Sequence, residues 1–291
     1  ITPESGLNTI AEATDNAPYF TVNIPVLMSV MTALVMAFTV GLGLAATQHP
    51  TLLSAAHGFE EIIVKTINTA IIPLLPLYIF GIFLNMTAVG QVFSILTVFI
   101  KIIGIIFVIH IGVLLLQFII AGCCARKNPF KLLWNMLPAY FTALGTQSSA
   151  ATIPVTLQQT RKNGVSGDIA GFTVPLCATL HVSGSTLKIT ACALALMVMQ
   201  GMPYNFWMFA GFILMLGITM VAAPGVPGGA IMASLGLLQS MLGFNEDALA
   251  LMIALYIAMD SFGTACNVTG DGAIAIIVDR LLGKDKKVRD Q

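Results

Sequence analysis

A polar stretch interrupts the last long apolar run of the chain, which covers about residues 248–277, and it reads Asp260-Ser261-Phe262-Gly263-Thr264-Ala265-Cys266-Asn267-Val268-Thr269-Gly270-Asp271. A run of that length is sufficient to cross a bilayer as a helix, and one carboxylate at the centre of such a helix costs about 2.5–3.5 kcal/mol. Polar side chains spaced i, i+4, i+7 and i+11 share one helix face: Asp260, Thr264, Asn267 and Asp271. Hydrogen bonding between helices would explain the Thr and the Asn. Two carboxylates indicate a polar lumen, an ion or a cationic partner.

The composition is that of a helical integral membrane protein. Of 291 residues, 57% are hydrophobic and 9% are charged, with a mean hydropathy of +0.92, whereas soluble proteins carry about 25% charged residues. The apolar runs are longer than barrel strands. The formal net charge of zero provides no attraction for a nucleic acid.

The first half of the chain contains three apolar runs. We expect spans at about 24–46 and 62–84, separated by a loop at 50–61, and a third run that ends at Cys124. Pro73 and Pro76 should kink the second span. A basic loop with Arg126, Lys127 and Lys131 follows.

The second half alternates between hairpins and interrupted helices. Residues 129–160 and 206–242 each have a turn-forming centre, at 146–154 and 224–229, and are expected to be re-entrant hairpins. The run 169–202 is broken by a polar cluster, and the spacing of His181, Ser185 and Lys188 predicts one helix face. Two corresponding interrupted units indicate a transporter site at the bilayer midplane. The basic loops fall on one side, which predicts a plasma or inner cell membrane protein with a cytoplasmic C-terminus.

These segments resemble the dicarboxylate/amino acid:cation symporter family over about residues 129–280, and more loosely over 8–124. Four motifs carry the resemblance in the family order: Ser148-Ser149-Ala150-Ala151-Thr152-Ile153-Pro154, Pro175-Leu176-Cys177-Ala178-Thr179-Leu180, Gly225-Val226-Pro227-Gly228-Gly229 and Asn267-Val268-Thr269-Gly270-Asp271. Nothing in the chain resembles the first three family helices, which are expected to precede Ile1. The native reading frame upstream of Ile1 would decide this.

The resemblance implies an all-α, glutamate-transporter-like fold with two re-entrant hairpins and two broken transmembrane helices. Residues 1–124 would be a partial scaffold with accessory helices, 125–283 the transport core and 284–291 a basic cytoplasmic tail. The implied assembly is a homotrimer, provided that the missing helices are present.

The resemblance also implies residue roles. Ser149 and Asn267 match the positions that hold the substrate α-carboxylate, and Asp260 matches the one that takes the α-amino group. The implied substrate set is Ser148, Ser149, Ser185, Val226, Asp260, Gly263, Thr264 and Asn267. The implied cation set is Cys177, His181, Ser183, Asn267 and Asp271, with Asp271 as the sodium carboxylate. No cofactor is implied apart from Na⁺ and/or H⁺ as the coupling ion.

The chain departs from the family at the broken helix, where Asn-Met-Asp-Gly-Thr is replaced by His181-Val182-Ser183-Gly184-Ser185. One sodium site thereby loses its carboxylate, so a proton on His181, or the ammonium of Lys188, is expected to replace one sodium. The Arg that reads acidic substrates is Gly263, and the alternative Arg position is Gln147. Lys188 is a candidate charge partner.

The sequence therefore predicts a cation-coupled symporter of a small neutral amino acid, and not an enzyme. An acidic amino acid or dicarboxylate symporter that uses Lys188 in place of Arg stays open, as does an inactive fragment. An intramembrane aspartyl protease is excluded, because its two carboxylates share a proton, whereas Asp260 and Asp271 on one helix lie about 16 Å apart. A channel fits less well than a carrier that closes around its substrate.

Overall fold

The computed structural model describes residues 30–47, 49–66, 92–221, 223 and 228–289. It also describes isolated positions and pairs, namely 28, 69–70, 73–74, 76–77, 80–81, 84 and 87, and side chains are described as far as residue 282. Every regular element in these ranges is helical, and they contain no strand. Within the described part of the chain, three helical stretches are long and apolar enough to cross a membrane: Leu96–Ala125, Gly167–Met199 and Asp260–Leu282. The architecture is that of a helical membrane protein.

The described helices follow one another with short connections. They are α1 (Val30–Thr47), α2 (Pro50–Thr66), α3 (Val92–Ala125), α4 (Pro129–Thr146), α5 (Ser149–Lys162), α6 (Gly167–Leu180), α7 (Ser183–Met199), α8 (Phe206–Val221), α9 (Gly229–Leu242), α10 (Glu246–Ala258) and α11 (Asp260–Arg289).

The last helix is the centre of the packing. Helix α11 contacts α3, α4, α5, α6 and α7, and its 260–277 portion is almost entirely buried. One apolar core lies between α11, α4, α6 and the end of α3. A second core joins α7, α8, α9 and α10. The polar face of α11 is therefore enclosed by protein.

Two long apolar runs are interrupted where the sequence predicts it. Helix α6 ends at Leu180 and α7 begins at Ser183, with His181 and Val182 in non-helical conformations. Helix α10 ends at Ala258, and α11 starts after the single residue Met259. Such breaks expose backbone groups at membrane depth, which is tolerated only where protein or a cavity surrounds them.

In two pairs of consecutive helices, the two members pack against each other: α4 packs against α5, and α8 packs against α9. The first pair turns at Gln147, which adopts a left-handed conformation with φ 53°, and Ser148 then caps α5 by accepting a hydrogen bond from the Ala151 N–H. Asn128 caps α4 in the same way. The turn of the second pair, at 224–227, lies outside the described residues.

The expectations for the N-terminal half have mixed outcomes. The predicted loop at 50–61 is wrong, because this segment is the first part of helix α2. Pro50 stands at its first position, where the fixed φ of proline suits a helix. The first span agrees with α1 from residue 30 onward, whereas much of the predicted 62–84 span lies outside the described residues.

Candidate functional site

The first residue of α11, Asp260, is buried and accepts hydrogen bonds on both carboxylate oxygens. Oδ1 lies 3.0 Å from Lys188 Nζ, and Oδ2 lies 2.8 Å from the Gly228 backbone N–H. The Lys188 ammonium is fully buried, donates to the Tyr256 carbonyl at 3.3 Å and lies 3.3 Å from the centroid of the Tyr256 ring. A carboxylate, a carbonyl and a ring face each favour a cation. We call Lys188, Asp260, Tyr256 and Gly228 the Asp260 cluster.

Beside this cluster, the start of α7 is joined to α11 by hydrogen bonds. Asn267 Oδ1 accepts from the Gly184 N–H at 2.7 Å, and Asn267 Nδ2 donates to Ser185 Oγ at 3.1 Å. The Tyr256 hydroxyl also donates to Ser185 Oγ, at 3.3 Å. The Ser185 oxygen thus accepts two hydrogen bonds, and its own proton remains to be donated.

A glycine is required at position 184. A Cβ there would lie 2.6 Å from the Gly263 carbonyl oxygen and 2.8 Å from Cys266 Cβ. The broken helix therefore approaches the backbone of α11 directly, and this approach allows Asn267 to reach the Gly184 N–H.

A small cavity lies between the broken helix, α11 and the turn of the first helix pair. It encloses about 50 Å³, enough for a few water-sized groups, since about 10–15 Å³ accepts one water. Its lining residues are Gln147, Ser149, Ala178, Thr179, Val182, Ser185, Ala223, Ala230, Tyr256, Asp260, Thr264 and Asn267. Five of the predicted substrate residues thus share one space: Ser149, Ser185, Asp260, Thr264 and Asn267.

The other predicted substrate residues lie elsewhere. Ser148 is half-buried and caps α5, and it is not among the lining residues. Gly263 is buried against Lys188, whose Nζ would lie 3.1 Å from a Cβ at this position. Val226 lies outside the described residues.

A second polar group, the Asp271 cluster, contains Gln117, His181, Ser183 and Asp271, of which Asp271 is buried and the other three are half-buried. His181 Nδ1 lies 2.8 Å from Asp271 Oδ1, and His181 Nε2 lies 3.3 Å from the amide nitrogen of Gln117. The same amide donates to Ser183 Oγ at 3.4 Å. Asp271, the expected sodium carboxylate, therefore has an imidazole as its direct neighbour.

The Cys177 carbonyl, which the resemblance assigns to the same cation set, accepts a hydrogen bond from the His181 N–H at 2.8 Å. His181 directly follows the last residue of α6 and does not belong to α7. The expected helix face shared by His181, Ser185 and Lys188 is therefore wrong at its first member. The break directs His181 to Asp271, while Lys188 reaches Asp260.

Sequence reasoning missed two residues of α3. Gln117 reaches His181 and Ser183, and His110 Nε2 lies 3.0 Å from the Gly184 carbonyl oxygen. Both are polar side chains in a long apolar run, and that is the signal that could have identified them. They show that α3 contributes to the polar interior around the helix break.

A buried polar interior at two helix breaks, within helices that can span a bilayer, defines the class of membrane transporters. Residues 4–281 match the family described as the Sodium:dicarboxylate symporter family, and the chain belongs to that family. Its members are transporters and not enzymes. The resemblance stated from the motifs is thereby confirmed.

The similar proteins include transporters whose names indicate different substrates. The chain is 34% identical over 170 residues to excitatory amino acid transporter 1 of Rattus norvegicus, covering 57% of this chain and 30% of that protein. It is 30% identical over 160 residues to neutral amino acid transporter B(0) of Rattus norvegicus, covering 53% of this chain and 29% of that protein. It is 30% identical over 167 residues to serine/threonine transporter SstT of Acinetobacter baylyi, covering 56% of this chain and 42% of that protein. The matched part thus spans under half the length of each relative.

Proposed function

We propose that this chain forms the substrate-binding part of a symporter that carries a small neutral amino acid together with a cation. One observation carries the proposal: a cavity of about 50 Å³ brings together Ser149, Ser185, Asp260, Thr264 and Asn267. These groups include acceptors for an ammonium and donors for a carboxylate, which are the two ends of an amino acid. The small volume favours a small side chain.

In this proposal each end of the substrate has its own partners. Ser149 is the first residue of helix α5, and a helix N-terminus attracts a carboxylate. The Asn267 amide uses one N–H on Ser185, so its second N–H is a further donor for the same carboxylate. Asp260 would receive the substrate ammonium on the lone pairs that Lys188 and Gly228 leave. Ser185 and Thr264 would contact the side chain.

The preference for a neutral substrate rests on the lining of the cavity. Among the described residues that line it there is no Arg or Lys, and Gln147, at the alternative Arg position, donates its amide to Ser261 at 2.8 Å. A second carboxylate on the substrate would therefore lack a bidentate cationic partner.

One observation favours a second candidate, an acidic amino acid or a dicarboxylate. The Lys188 ammonium lies beside Gly263, where the resemblance expects an Arg, at 3.1 Å from an added Cβ. It also neutralises Asp260, which weakens the attraction of Asp260 for a substrate ammonium. If Lys188 turned toward the cavity, its ammonium would pair with a carboxylate.

For the coupling ion, we propose sodium, which the family description names, at the Asp271 cluster. The oxygen donors of Asp271, Ser183 and the Asn267 and Cys177 carbonyls suit a small hard cation. One oxygen of Asp271 already accepts from His181. A sodium ion would have to share the carboxylate with the imidazole, so a lower sodium order is expected than in members that carry Asn and Asp at these positions.

The membrane arrangement is part of the same proposal. Helix pairs α4–α5 and α8–α9 would be the two re-entrant hairpins, and residues 125–283 would move as a transport core against a scaffold that includes 1–124. The tail 284–291 would be cytoplasmic, and three copies would assemble into a homotrimer. Substrate would cross by an alternating-access elevator motion.

Uptake competition in proteoliposomes tests the proposed function. The natural protein is reconstituted with an inward sodium gradient, and uptake of labelled serine is competed with unlabelled alanine, threonine, aspartate and succinate. Serine, alanine and threonine should compete more strongly than aspartate. Stronger competition by aspartate or succinate would favour the second candidate, and a conductance that does not saturate would indicate a channel. Repeating the uptake with an inward proton gradient distinguishes proton coupling from sodium coupling.

A further inference from the structure

Lys188 carries a fully buried ammonium that lies outside the cavity wall, although its hydrogen-bond partners are part of that wall. Its Nζ contacts Asp260 Oδ1 at 3.0 Å, the Tyr256 carbonyl at 3.3 Å and the Tyr256 ring. Asp260 and Tyr256 line the cavity, but Lys188 does not. The ammonium is therefore held next to the cavity without filling it.

The packing keeps Lys188 in this place. Its Nζ, Cε and Cδ lie 3.1, 3.4 and 3.8 Å from the Cβ that position 263 would carry. The missing side chain of Gly263 is thus the space through which Lys188 passes to Asp260. The absence of a side chain at residue 263 thus lets the Lys188 ammonium stay permanently beside Asp260.

The second carboxylate oxygen of Asp260 joins the site to the α8–α9 connection. Oδ2 accepts from the Gly228 N–H at 2.8 Å, and Gly228 directly precedes α9. With Lys188 on one oxygen and Gly228 on the other, Asp260 is both neutralised and hydrogen-bonded without any substrate. The polar interior around Asp260 therefore carries no uncompensated charge when the cavity holds no amino acid.

We infer that Lys188 is a tethered counter-cation which lets the substrate-free carrier return across the membrane. This inference rests on the proposed function. A carrier whose ammonium-binding carboxylate were unpaired when empty would have to move a buried charge, which is strongly disfavoured in a membrane. Such a carrier would exchange one substrate for another, or would need a second cation from solution to return. Lys188 supplies that positive charge at Asp260 from the protein, so the return of this site needs neither internal substrate nor a second cation from solution.

The wild-type protein provides the first test, with labelled serine as the probe. Reconstituted natural protein is given the same inward sodium gradient in two kinds of vesicle. One kind is loaded with unlabelled serine, and the other contains only choline chloride buffer. Net uptake into the second kind should proceed at a rate within about threefold of exchange, equivalent to about 0.7 kcal/mol in barrier height. Exchange without net uptake would overturn the inference and leave the proposed function intact, whereas absence of both modes would overturn the proposed function itself.

Substitution of Lys188 provides the second test, and its readout is the ratio of net uptake to exchange. Lys188→Met keeps the length of the side chain without its charge, and this ratio should fall by about tenfold or more, because Asp260 loses its counter-charge. Lys188→Arg should retain at least a third of the wild-type ratio. Lys101→Met, at an exposed lysine of α3, is the matched control and should leave the ratio unchanged. An unchanged ratio for Lys188→Met would contradict the inference. If both modes fall equally, Lys188 has only a structural role, and if neither falls, Lys188 is not needed for the return.

Discussion

A lysine at position 188 and an arginine at position 263 should exclude each other. In the structure a Cβ at residue 263 would lie 3.1 Å from Lys188 Nζ and 3.4 Å from its Cε. Gly263→Arg would thus force a guanidinium into volume that the lysine fills, and overpacking of that kind costs about 1–3 kcal/mol. Two cations about 4 Å apart would then share one carboxylate, with a repulsion of about 4 kcal/mol at an effective dielectric constant of 20. We expect Gly263→Arg to lower the free energy of unfolding by about 5–7 kcal/mol.

Removal of the lysine should reverse most of that loss. Lys188→Ala clears the space beside residue 263 and leaves Asp260 for the new guanidinium, so Gly263→Arg combined with Lys188→Ala should recover about 3 kcal/mol relative to Gly263→Arg alone. Thermal unfolding of the purified protein in detergent, monitored by intrinsic fluorescence and size-exclusion recovery, measures the four members of this cycle. The same double variant should gain affinity for aspartate, because it places an arginine beside Asp260, which lines the cavity. A double variant no more stable than Gly263→Arg would refute the packing relation between the two positions.

Three further outcomes are expected. Asp260→Asn should weaken serine binding by more than tenfold, since loss of one partner of a buried charged contact costs about 2–5 kcal/mol. It should also lower the free energy of unfolding, because the buried Lys188 ammonium loses its carboxylate. Titration calorimetry on the folded variant measures the affinity, and unchanged affinity would remove Asp260 from the site. Gly184→Ala should destabilise the fold by about 3 kcal/mol in thermal unfolding, because its methyl would meet the Gly263 carbonyl oxygen at 2.6 Å. The control Gly217→Ala, whose methyl would have nothing within 4 Å, should be neutral or stabilising by about 0.5–1 kcal/mol. Equal effects of the two substitutions would contradict this packing. His181→Asn combined with Ser183→Asp should raise the sodium order of uptake, measured from initial rates against sodium concentration, because the two substitutions restore an amide and a carboxylate. If the wild type already shows the same sodium order as this double variant, His181 is only a structural hydrogen-bonding residue.

The helix breaks and the polar face of α11 could be predicted from the sequence, because they depend on the chemistry of neighbouring residues. Polar and small residues at 181–185 are poor helix formers, and the structure separates α6 from α7 there. The i, i+4, i+7, i+11 spacing is a property of one helix, and α11 carries all four side chains. The turn expected at 146–154 appears only at Gln147 and Ser148, because residues 149–154 belong to helix α5.

The partners of charged side chains were not accessible, because they are separated by long stretches of chain. Lys188 and Asp260 are 72 residues apart, and His181 and Asp271 are 90 apart. The helical spacing put His181 and Lys188 on one face, whereas the break at 181–182 turns them toward different carboxylates. Helix α2 was missed because Pro50, Gly58 and neighbouring polar residues are also typical of a loop.

If the cavity at Asp260 holds a small amino acid, a crystal or cryo-EM structure of the natural protein with serine and sodium should show the ligand there. We expect density for serine inside the cavity, with its ammonium within hydrogen-bond distance of Asp260 and its carboxylate near Ser149 and Asn267. Well-ordered side chains around a cavity without serine density, or serine bound elsewhere on the protein, would contradict it.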